Sequence, residues 1–189
     1  YIYYIMVLIK TPICNFGEKP QPFSLKGVDN KIYKLDDCLG NNGTIIMFIC
    51  NHCPYVKAII SDIVKDTNRL KNFGISSVAI MSNDTKNYPE DSFEKMREFS
   101  KVNNFNFPYV IDETQEVAKK YGAVCTPDFF GYNGKKELQY RGRMRELKNL
   151  KPVNNNETDL FKSMKLVSET GKGPENQIPS MGCNIKWFN

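Results

Sequence analysis

A pair of cysteines separated by two residues lies where a buried strand gives way to an amphipathic helix. The tetrapeptide is Cys50-Asn51-His52-Cys53, and residues 44–49 before it are β-branched, apolar or aromatic without any charge, which predicts a buried strand. After it, apolar residues recur at three- and four-residue spacing, which predicts a helix over about 52–72; they are Val56, Ile59, Ile60, Ile63, Val64 and Leu70. The cysteines are therefore expected at a strand-to-helix turn.

The start of a helix favours a thiolate, because it presents unpaired N–H groups and the positive end of the helix dipole. The pKa of a free cysteine, about 8.5, can fall to roughly 3.5–7.5 in such a place. His52, the one histidine of the chain, can add a positive charge or a hydrogen bond. A thiolate attacks disulfides, and a second thiol nearby can release the product from the mixed disulfide. Cys50, Cys53 and His52 are therefore the candidate catalytic residues.

Composition narrows the classes of function that remain open. The 189 residues carry a net charge of +5 with basic and acidic residues interspersed. No basic run is interleaved with aromatics, so nucleic acid is not an expected partner. Six cysteines are too sparse for a disulfide scaffold. A zinc site would need four ligands, namely Cys50, Cys53 and two of Cys125, Cys183 and His52. The sequence offers no second pair of closely spaced ligands, which argues against such a site. We expect neither a metal nor an organic cofactor.

The first nine residues are apolar but do not resemble a targeting segment. They lack a basic n-region and a small-residue cleavage site, and they are far shorter than the roughly 20 residues that span a bilayer. The sequence therefore predicts a cytoplasmic location and no membrane partner. Met6 is a candidate start, with residues 1–5 foreign to the native chain; a short strand is the alternative.

Strand and helix patterns alternate along the rest of the chain. Apolar alternation on both sides of residues 27–30 predicts a hairpin, and Gly74 is expected to end the first helix before a strand at 75–81. Asp112 is expected to cap a later helix, with Gln115 as its capping-box partner. The other expected elements are a helix opened by Pro89-Glu90-Asp91 with Phe93, Met96, Phe99 and Val102 on one side, a strand at 107–111, a strand after Thr126-Pro127, a turn at Asn133-Gly134 followed by a partner strand at 137–141, a loop at 143–157 and a last helix with Leu160, Phe161, Met164 and Val167.

This order of elements predicts an α/β fold with a central mixed sheet flanked by helices on both faces. We expect one domain over residues 12–170. A C-terminal tail over residues 171–189, with two glycines and two prolines, is expected to pack on that domain or to extend from it.

Three motifs together resemble the thioredoxin superfamily, and within it a bacterial thioredoxin-like "redoxin" family. The motifs are Phe48-Ile49-Cys50-Asn51-His52-Cys53-Pro54-Tyr55-Val56-Lys57, Cys125-Thr126-Pro127-Asp128-Phe129-Phe130 and Gly182-Cys183-Asn184-Ile185-Lys186-Trp187. The likeness runs from about residue 12 to the end. It implies the thioredoxin-like fold with an N-terminal hairpin and a strand–helix insert, on the branch that holds the alkyl hydroperoxide reductase/thiol-specific antioxidant proteins and the thiol reductases.

The resemblance also implies roles for individual residues. Cys50 would be the exposed nucleophile and Cys53 the resolving thiol. Thr126-Pro127 would be a cis-proline segment that faces the pair and leaves the backbone of Thr126 free to bind a peptide substrate. Ile49 stands where thioredoxins carry a tryptophan. A histidine just before the second cysteine resembles the strongly oxidising Dsb-type proteins.

Three functional hypotheses follow. The first is a thiol–disulfide oxidoreductase that acts on protein or small-molecule disulfides and thiols, as a monomer or homodimer, with a thiol reductant system as partner. The second is a peroxiredoxin-like peroxidase, because Cys53-Pro54 resembles the peroxidatic Cys-Pro, with Arg141 or Arg143 stabilising the thiolate. The third is a redox-inert or metal-binding module. Possible accessory residues are Cys125, Asp128 and Cys183, of which Cys183 is a candidate resolving thiol.

Overall fold

Seven strands form a mixed sheet through the centre of the protein, in a computed structural model that describes residues 7–188. Within these residues the strands are β1 (Leu8–Lys10), β2 (Ser24–Gly27), β3 (Ile32–Lys34), β4 (Gly43–Phe48), β5 (Ile75–Met81), β6 (Tyr109–Ile111), β7 (Cys125–Thr126), β8 (Asp128–Asn133), β9 (Leu138–Tyr140), β10 (Leu147–Lys148), β11 (Lys151–Pro152) and β12 (Met181–Asn184). The helices are α1 (Pro54–Leu70), α2 (Phe93–Val102), α3 (Glu116–Tyr121) and α4 (Asp159–Thr170), with 3-10 turns at Leu35–Cys38, Lys71–Phe73 and Pro89–Asp91.

The strand order of this sheet is β3-β2-β6-β5-β4-β8-β9. Strands β4, β5 and β6 run parallel in its middle, and antiparallel pairs extend it on both sides. The mixed sheet and the N-terminal hairpin of β2 and β3 confirm the sequence predictions. All six residues of β4 are buried, as expected for a central strand that is covered on both faces.

Helices cover both faces of the sheet. Side chains of β4 point alternately to the two faces, and each set packs in a separate hydrophobic cluster. Ile45 and Met47 pack in the cluster that receives the apolar faces of α1 and α4. Ile46 and Phe48 pack in the cluster that receives α3. Burying each such side chain contributes roughly 1.5–3 kcal/mol. The rigid end of β4 and the start of α1 therefore hold the tetrapeptide between them.

A second, three-stranded sheet joins the two ends of the described chain. Its order is β1-β12-β7, and β12 is antiparallel to both neighbours. Cys183 of β12 lies opposite Leu8 on one side and Thr126 on the other. Residues 1–6, with the candidate start at Met6, lie outside the described residues. The division into a domain at 12–170 and a tail at 171–189 stays a prediction.

Element ends differ from the sequence predictions in three places. Helix α1 is two residues shorter at each end, and Gly74, at φ 73°, follows the 3-10 turn that continues it. Val102, expected on the apolar side of α2, is its last residue and is 78% exposed. The expected loop at 143–157 contains the hairpin of β10 and β11, whose turn residues Asn149 and Leu150 both have positive φ. A leucine there carries no turn signal, so the sequence did not predict this hairpin.

Asp112 caps α3 from a greater distance than expected. The N-cap position is Gln115, at φ 63°. The two carboxylate oxygens of Asp112 accept hydrogen bonds from the backbone N–H groups of Val117 and Ala118, at 3.3 and 2.9 Å. The capping-box prediction for Gln115 is wrong, since its side-chain amide donates to the carbonyls of Ser82 and Lys186 instead.

Candidate active site

The two cysteines lie at the strand-to-helix turn that the sequence predicts. Cys53 is the N-cap of α1 in an extended conformation, and Pro54 occupies the first helical position, where its missing N–H costs nothing. Both cysteines are buried, with Cys50 1% and Cys53 0% exposed. The expected exposure of Cys50 is wrong, because its sulfur lies against Thr126 Oγ1 at 3.4 Å and His52 Nδ1 at 3.9 Å.

Cys53 lies between a thiol that favours its thiolate and a backbone carbonyl that accepts a hydrogen bond from its protonated form. Its sulfur lies 2.9 Å from the sulfur of Cys183 and 3.1 Å from the carbonyl oxygen of Thr126. The thiol of Cys183 donates the hydrogen bond that lowers the pKa of Cys53 most, and Cys50 and the backbone N–H of Val56 lower it further. Burial opposes these donors and does not outweigh them.

Cys50 has the opposite electrostatic character. Burial, followed by its hydrogen bond to Cys53, raises the pKa of Cys50 well above the ordinary thiol value. The two shifts are opposite in direction, which favours loss of the first proton from Cys53, the cysteine at the helix start.

His52 is oriented by a fully buried carboxylate. Its Nδ1 lies 2.6 Å from Asp91 Oδ2, and Asp91 is 0% exposed. The other carboxylate oxygen of Asp91 accepts from the backbone N–H groups of Asn51 and His52, at 2.8 and 3.4 Å. The amide of Asn83 donates to Oδ2 at 2.8 Å. The hydrogen bond to Asp91 raises the pKa of His52, which favours positive charge on a ring that lies 3.9 Å from the sulfur of Cys50.

The sequence predictions did not include this polar support. Asp91 was predicted only as part of a helix start, whereas it ends a 3-10 turn and Ser92 caps α2. Asn51 is held by its amide donating to the carbonyl of Glu90 at 3.0 Å and by the hydroxyl of Tyr109 donating to its oxygen at 2.9 Å. Only the proline at the start of the turn marked this segment in the sequence, and nothing pointed it at His52.

The peptide bond between Thr126 and Pro127 is cis, as the resemblance implies, and this segment faces the cysteines. The expectation that the backbone of Thr126 is free is wrong. Strand β12 pairs with β7 in the register that sets Cys183 opposite Thr126. A peptide substrate would therefore meet a strand of the same chain at this backbone.

Comparison with known proteins decides the family. The model of the AhpC/TSA family matches residues 16–144, which is more than half of the chain. The chain belongs to the AhpC/TSA family. Membership supports a thiol-based redox activity, that of an oxidoreductase in the general sense. No curated protein sequence matches the chain at a significant level.

Solved structures confirm the thioredoxin-like fold of this AhpC/TSA family member. An uncharacterised conserved protein from Geobacillus kaustophilus is 38% identical, with 97% of each chain covered and a TM-score of 0.91. A hypothetical protein from Sinorhizobium meliloti 1021 is 32% identical, with 95% of this chain and 97% of that chain covered and a TM-score of 0.86. A thiol:disulfide interchange protein of the thioredoxin family from Chlorobium tepidum is 16% identical over 80% of this chain and 97% of that chain, with a TM-score of 0.61, and shows the fold alone.

The two arginines considered for a family peroxidase site bind carboxylates instead. Arg141 Nη2 lies 3.0 Å from Asp128 Oδ2 and donates to the carbonyl of Gly122 at 2.8 Å. Arg143 Nε lies 2.7 Å from Asp159. Burial raises the pKa of Asp128 to about 6, and Arg141 opposes this rise. Asp128 and Arg141 thus form a buried ion pair beside the cis-proline segment.

Cys125, the remaining accessory cysteine, is buried with its sulfur 3.6 Å from the carbonyl oxygen of Pro127, and burial raises its pKa. Among the described residues, Cys50, His52 and Asp91 offer three ligand atoms within 4.8 Å of one another. These three residues are not the four ligands that the sequence offered for a zinc site. The expectation that no metal binds stays a prediction.

No helix within residues 7–188 has the length and apolarity to cross a membrane.

Proposed function

We propose that this protein is a thiol–disulfide oxidoreductase with Cys50 and Cys53 as its redox pair. The observation that carries the proposal is the position of the two buried thiols at the start of α1, where both sulfurs contact Thr126 before the cis peptide bond. Exchange needs one cysteine that takes the mixed disulfide with the substrate and a second that resolves it. The opposite directions of the two pKa shifts favour Cys53 as the resolving thiolate.

In the proposed reaction, Cys50 carries the mixed disulfide with the substrate. The thiolate of Cys53 attacks the sulfur of Cys50, the bond between Cys50 and the substrate sulfur breaks, and the substrate leaves as a thiolate. His52, whose Nδ1 lies 3.9 Å from the sulfur of Cys50, favours the departing thiolate through positive charge when its ring is protonated. The pair ends as a disulfide, and a thiol reductant system restores it by the reverse exchange. No organic cofactor is needed.

The proposed substrate is a protein or small-molecule disulfide that meets the side chain of Thr126 and the ring of Pro127. A substrate has to displace His52 or Thr126 from the sulfur of Cys50, because both contact it. A reducing compartment such as the cytoplasm suits six cysteines that form no disulfide among the described residues. A monomer or homodimer, without nucleic acid or membrane partners, remains part of the proposal.

One observation favours a second candidate, hydroperoxide reduction at Cys53. The lowered pKa of Cys53 gives the thiolate that attacks a peroxide, with a sulfenic acid on Cys53 and water or an alcohol as products. Arg141 and Arg143, bound to Asp128 and Asp159, do not stabilise that thiolate. We therefore rank peroxidase activity second.

The test is disulfide mapping across a glutathione redox series, with a parallel arm in hydrogen peroxide. Cys183→Ala is included beside the wild type, so that the third buried thiol is removed from the pairing. We expect a reversible disulfide between Cys50 and Cys53 whose occupancy follows the buffer potential. Cys53→Ser should instead retain glutathione on Cys50, and Cys14→Ala should behave as the wild type.

Other outcomes point to the alternatives. A pair that stays reduced across the series rules out disulfide exchange. Rapid formation of sulfenic acid on Cys53 in the peroxide arm would favour the peroxidase. Bound metal in the purified protein, with neither activity, would favour the metal-binding module.

A further inference from the structure

Cys183 lies in the interior of the fold, although it was expected in a C-terminal tail. It is 1% exposed, and its sulfur is 2.9 Å from that of Cys53. Cys53 therefore has two thiol neighbours, Cys50 on its own loop and Cys183 on β12.

The fold fixes Cys183 at this position through the segment before it. A Cβ on Gly182 would lie 2.0 Å from the carbonyl oxygen of Thr126, so only glycine lets β12 approach β7 this closely. The hydroxyl of Ser180 donates to the carbonyl of Pro127 at 2.7 Å, and the carbonyl of Ser180 accepts from the N–H of Thr11 at 2.9 Å. Contacts with Pro127 and with Thr11 thus fix the segment that places Cys183 beside Cys53.

We propose that Cys183 is a third redox thiol, and that Cys53 exchanges its disulfide partner between Cys50 and Cys183. This proposal rests on the proposed function, because the Cys50–Cys53 disulfide is its starting point. It adds a second oxidised form, in which Cys53 is joined to β12 and Cys50 is a free thiol again.

The step is an internal thiol–disulfide exchange that balances without an external oxidant. The sulfur of Cys183 attacks the sulfur of Cys53, a bond forms between them, and the bond between Cys53 and Cys50 breaks. Cys50 takes the electron pair and the proton that Cys183 gives up. One disulfide and one thiol enter the step, and one disulfide and one thiol leave it.

The charges at the site favour this step once the pair is oxidised. In the reduced protein the hydrogen bond to Cys53 is the largest cause that raises the pKa of Cys183, so Cys183 keeps its proton. Oxidation to the Cys50–Cys53 disulfide removes the Cys53 thiolate and with it this cause. Burial still raises the pKa of Cys183 and Lys186 lowers it, so Cys183 gives up its proton more readily than in the reduced protein.

The product has a use in the proposed reaction. When Cys53 is joined to Cys183, the freed Cys50 lies beside His52 and can attack a substrate disulfide, from which the second substrate sulfur leaves as a thiolate. Cys53 remains protected inside the fold meanwhile. The chain can therefore store an oxidising equivalent in β12 while Cys50 engages its substrate.

The test compares Cys50→Ser and Cys183→Ala after treatment with oxidised glutathione. Each protein is alkylated, digested with trypsin without reduction and mapped by mass spectrometry. A Cys53–Cys183 disulfide joins the peptides 35–57 and 173–186, whereas a Cys50–Cys53 disulfide lies within 35–57. Fragmentation of the joined peptides distinguishes Cys53 from Cys38.

In Cys50→Ser we expect the joined peptides to be roughly a hundredfold more abundant than the Cys53–glutathione adduct. The reason is that the thiol of Cys183 competes with glutathione at a high effective concentration. A stable glutathione adduct on Cys53, or an alkylated Cys53 and Cys183, would overturn the proposal. Failure of Cys183→Ala to form the Cys50–Cys53 disulfide would instead contradict the proposed function, so the two failures are distinguishable.

Three controls keep the result interpretable. Cys50→Ala, with the same fold checked by circular dichroism and thermal unfolding, should give the same joined peptides as Cys50→Ser. The wild type should show both disulfides, and a wild type that forms only Cys50–Cys53 at every redox potential would also overturn the proposal. Cys14→Ala, which removes a thiol outside the site, should match the wild type.

Discussion

Asp91 Oδ2 lies 2.6 Å from Nδ1 of His52, the residue between the two proposed redox cysteines. The carboxyl group is fully buried and accepts hydrogen bonds from the backbone N–H groups of Asn51 and His52 and from the amide of Asn83. His52 is thereby held within 3.9 Å of the sulfur of Cys50. Negative charge that develops on Cys50, as when Cys183 displaces it from Cys53, would thus arise beside a ring whose pKa is raised.

Asp91→Asn should lower the pKa of His52, because the hydrogen bond to Asp91 is the largest cause of its rise. His52 is the one histidine in the chain, so a single imidazole resonance reports its titration by NMR. Glu90→Gln, an exposed neighbour, is the matched control and should leave that titration unchanged. The same midpoint in Asp91→Asn and the wild type would contradict the assignment.

The same pair should stabilise the fold in a defined pH range. The pKa of His52 is raised in the folded state, so its contribution is fully present below the unfolded value of about 6.5 and is lost as the pH rises through the folded pKa. Thermal unfolding of Asp91→Asn and Glu90→Gln across this range measures the difference.

Cys183→Ala should raise the pKa of Cys53, because the thiol of Cys183 donates the hydrogen bond that lowers it most. We expect thiolate absorbance of the reduced wild type to show a first midpoint below the ordinary value of about 8.5, and this midpoint to move upward in the variant. Cys14→Ala should retain the wild-type midpoint. Since a stabilised thiolate favours the reduced pair, the same variant should also make the couple less oxidising.

The sequence predicted both cysteines of the pair because their signals are local: a charge-free strand, a C-x-x-C and an amphipathic repeat define the turn. The cis bond at Thr126-Pro127 was implied by the resemblance of its motif. The partners that give the site its electrostatics are distant in the chain. Asp91 bonds to a residue 39 positions before it, and Cys183 meets Cys53 across 130 positions. No periodicity encodes such contacts, because they depend on how the strands are ordered and paired.

Gly182→Ala should separate Cys183 from Cys53, since its Cβ would meet the carbonyl oxygen of Thr126 at 2.0 Å and Cδ of Pro127 at 3.0 Å. The expected results are faster hydrogen exchange in β12 and a higher pKa for Cys53. Gly171→Ala is the control: it has no atom within 4 Å, and its positive φ costs about 1 kcal/mol away from the thiols. Protected amides in β12 of Gly182→Ala would contradict the steric argument.

Arg141→Met should destabilise the fold by about 3–5 kcal/mol, because it leaves Asp128 buried without its partner. For a chain of this size that corresponds to a decrease of about 10 °C in the unfolding temperature. Lys95→Met, which breaks an exposed ion pair with Glu98, should change stability by less than about 1 kcal/mol.

The loss in Arg141→Met should depend on pH. Burial raises the pKa of Asp128 to about 6 in the folded protein, and removal of the arginine raises it further. A carboxyl with a raised folded pKa costs stability as the pH rises, since the unfolded chain ionises more readily. The deficit should therefore grow above about pH 6 and shrink in Asp128→Asn/Arg141→Met. A deficit that is independent of pH would contradict this account.

The sheet of β1, β12 and β7 has a consequence for the newly made chain. The dithiol and helix α1 leave the ribosome well before β12, which is the last strand of the described residues, and domains begin to fold while synthesis continues. During that interval Cys53 lacks the neighbour that donates to its sulfur, and Thr126 lacks its paired strand. The growing chain is then open to glutathione and to other proteins' thiols. Docking of β12 ends this period, so maturation of the site waits for synthesis of the segment that carries Cys183.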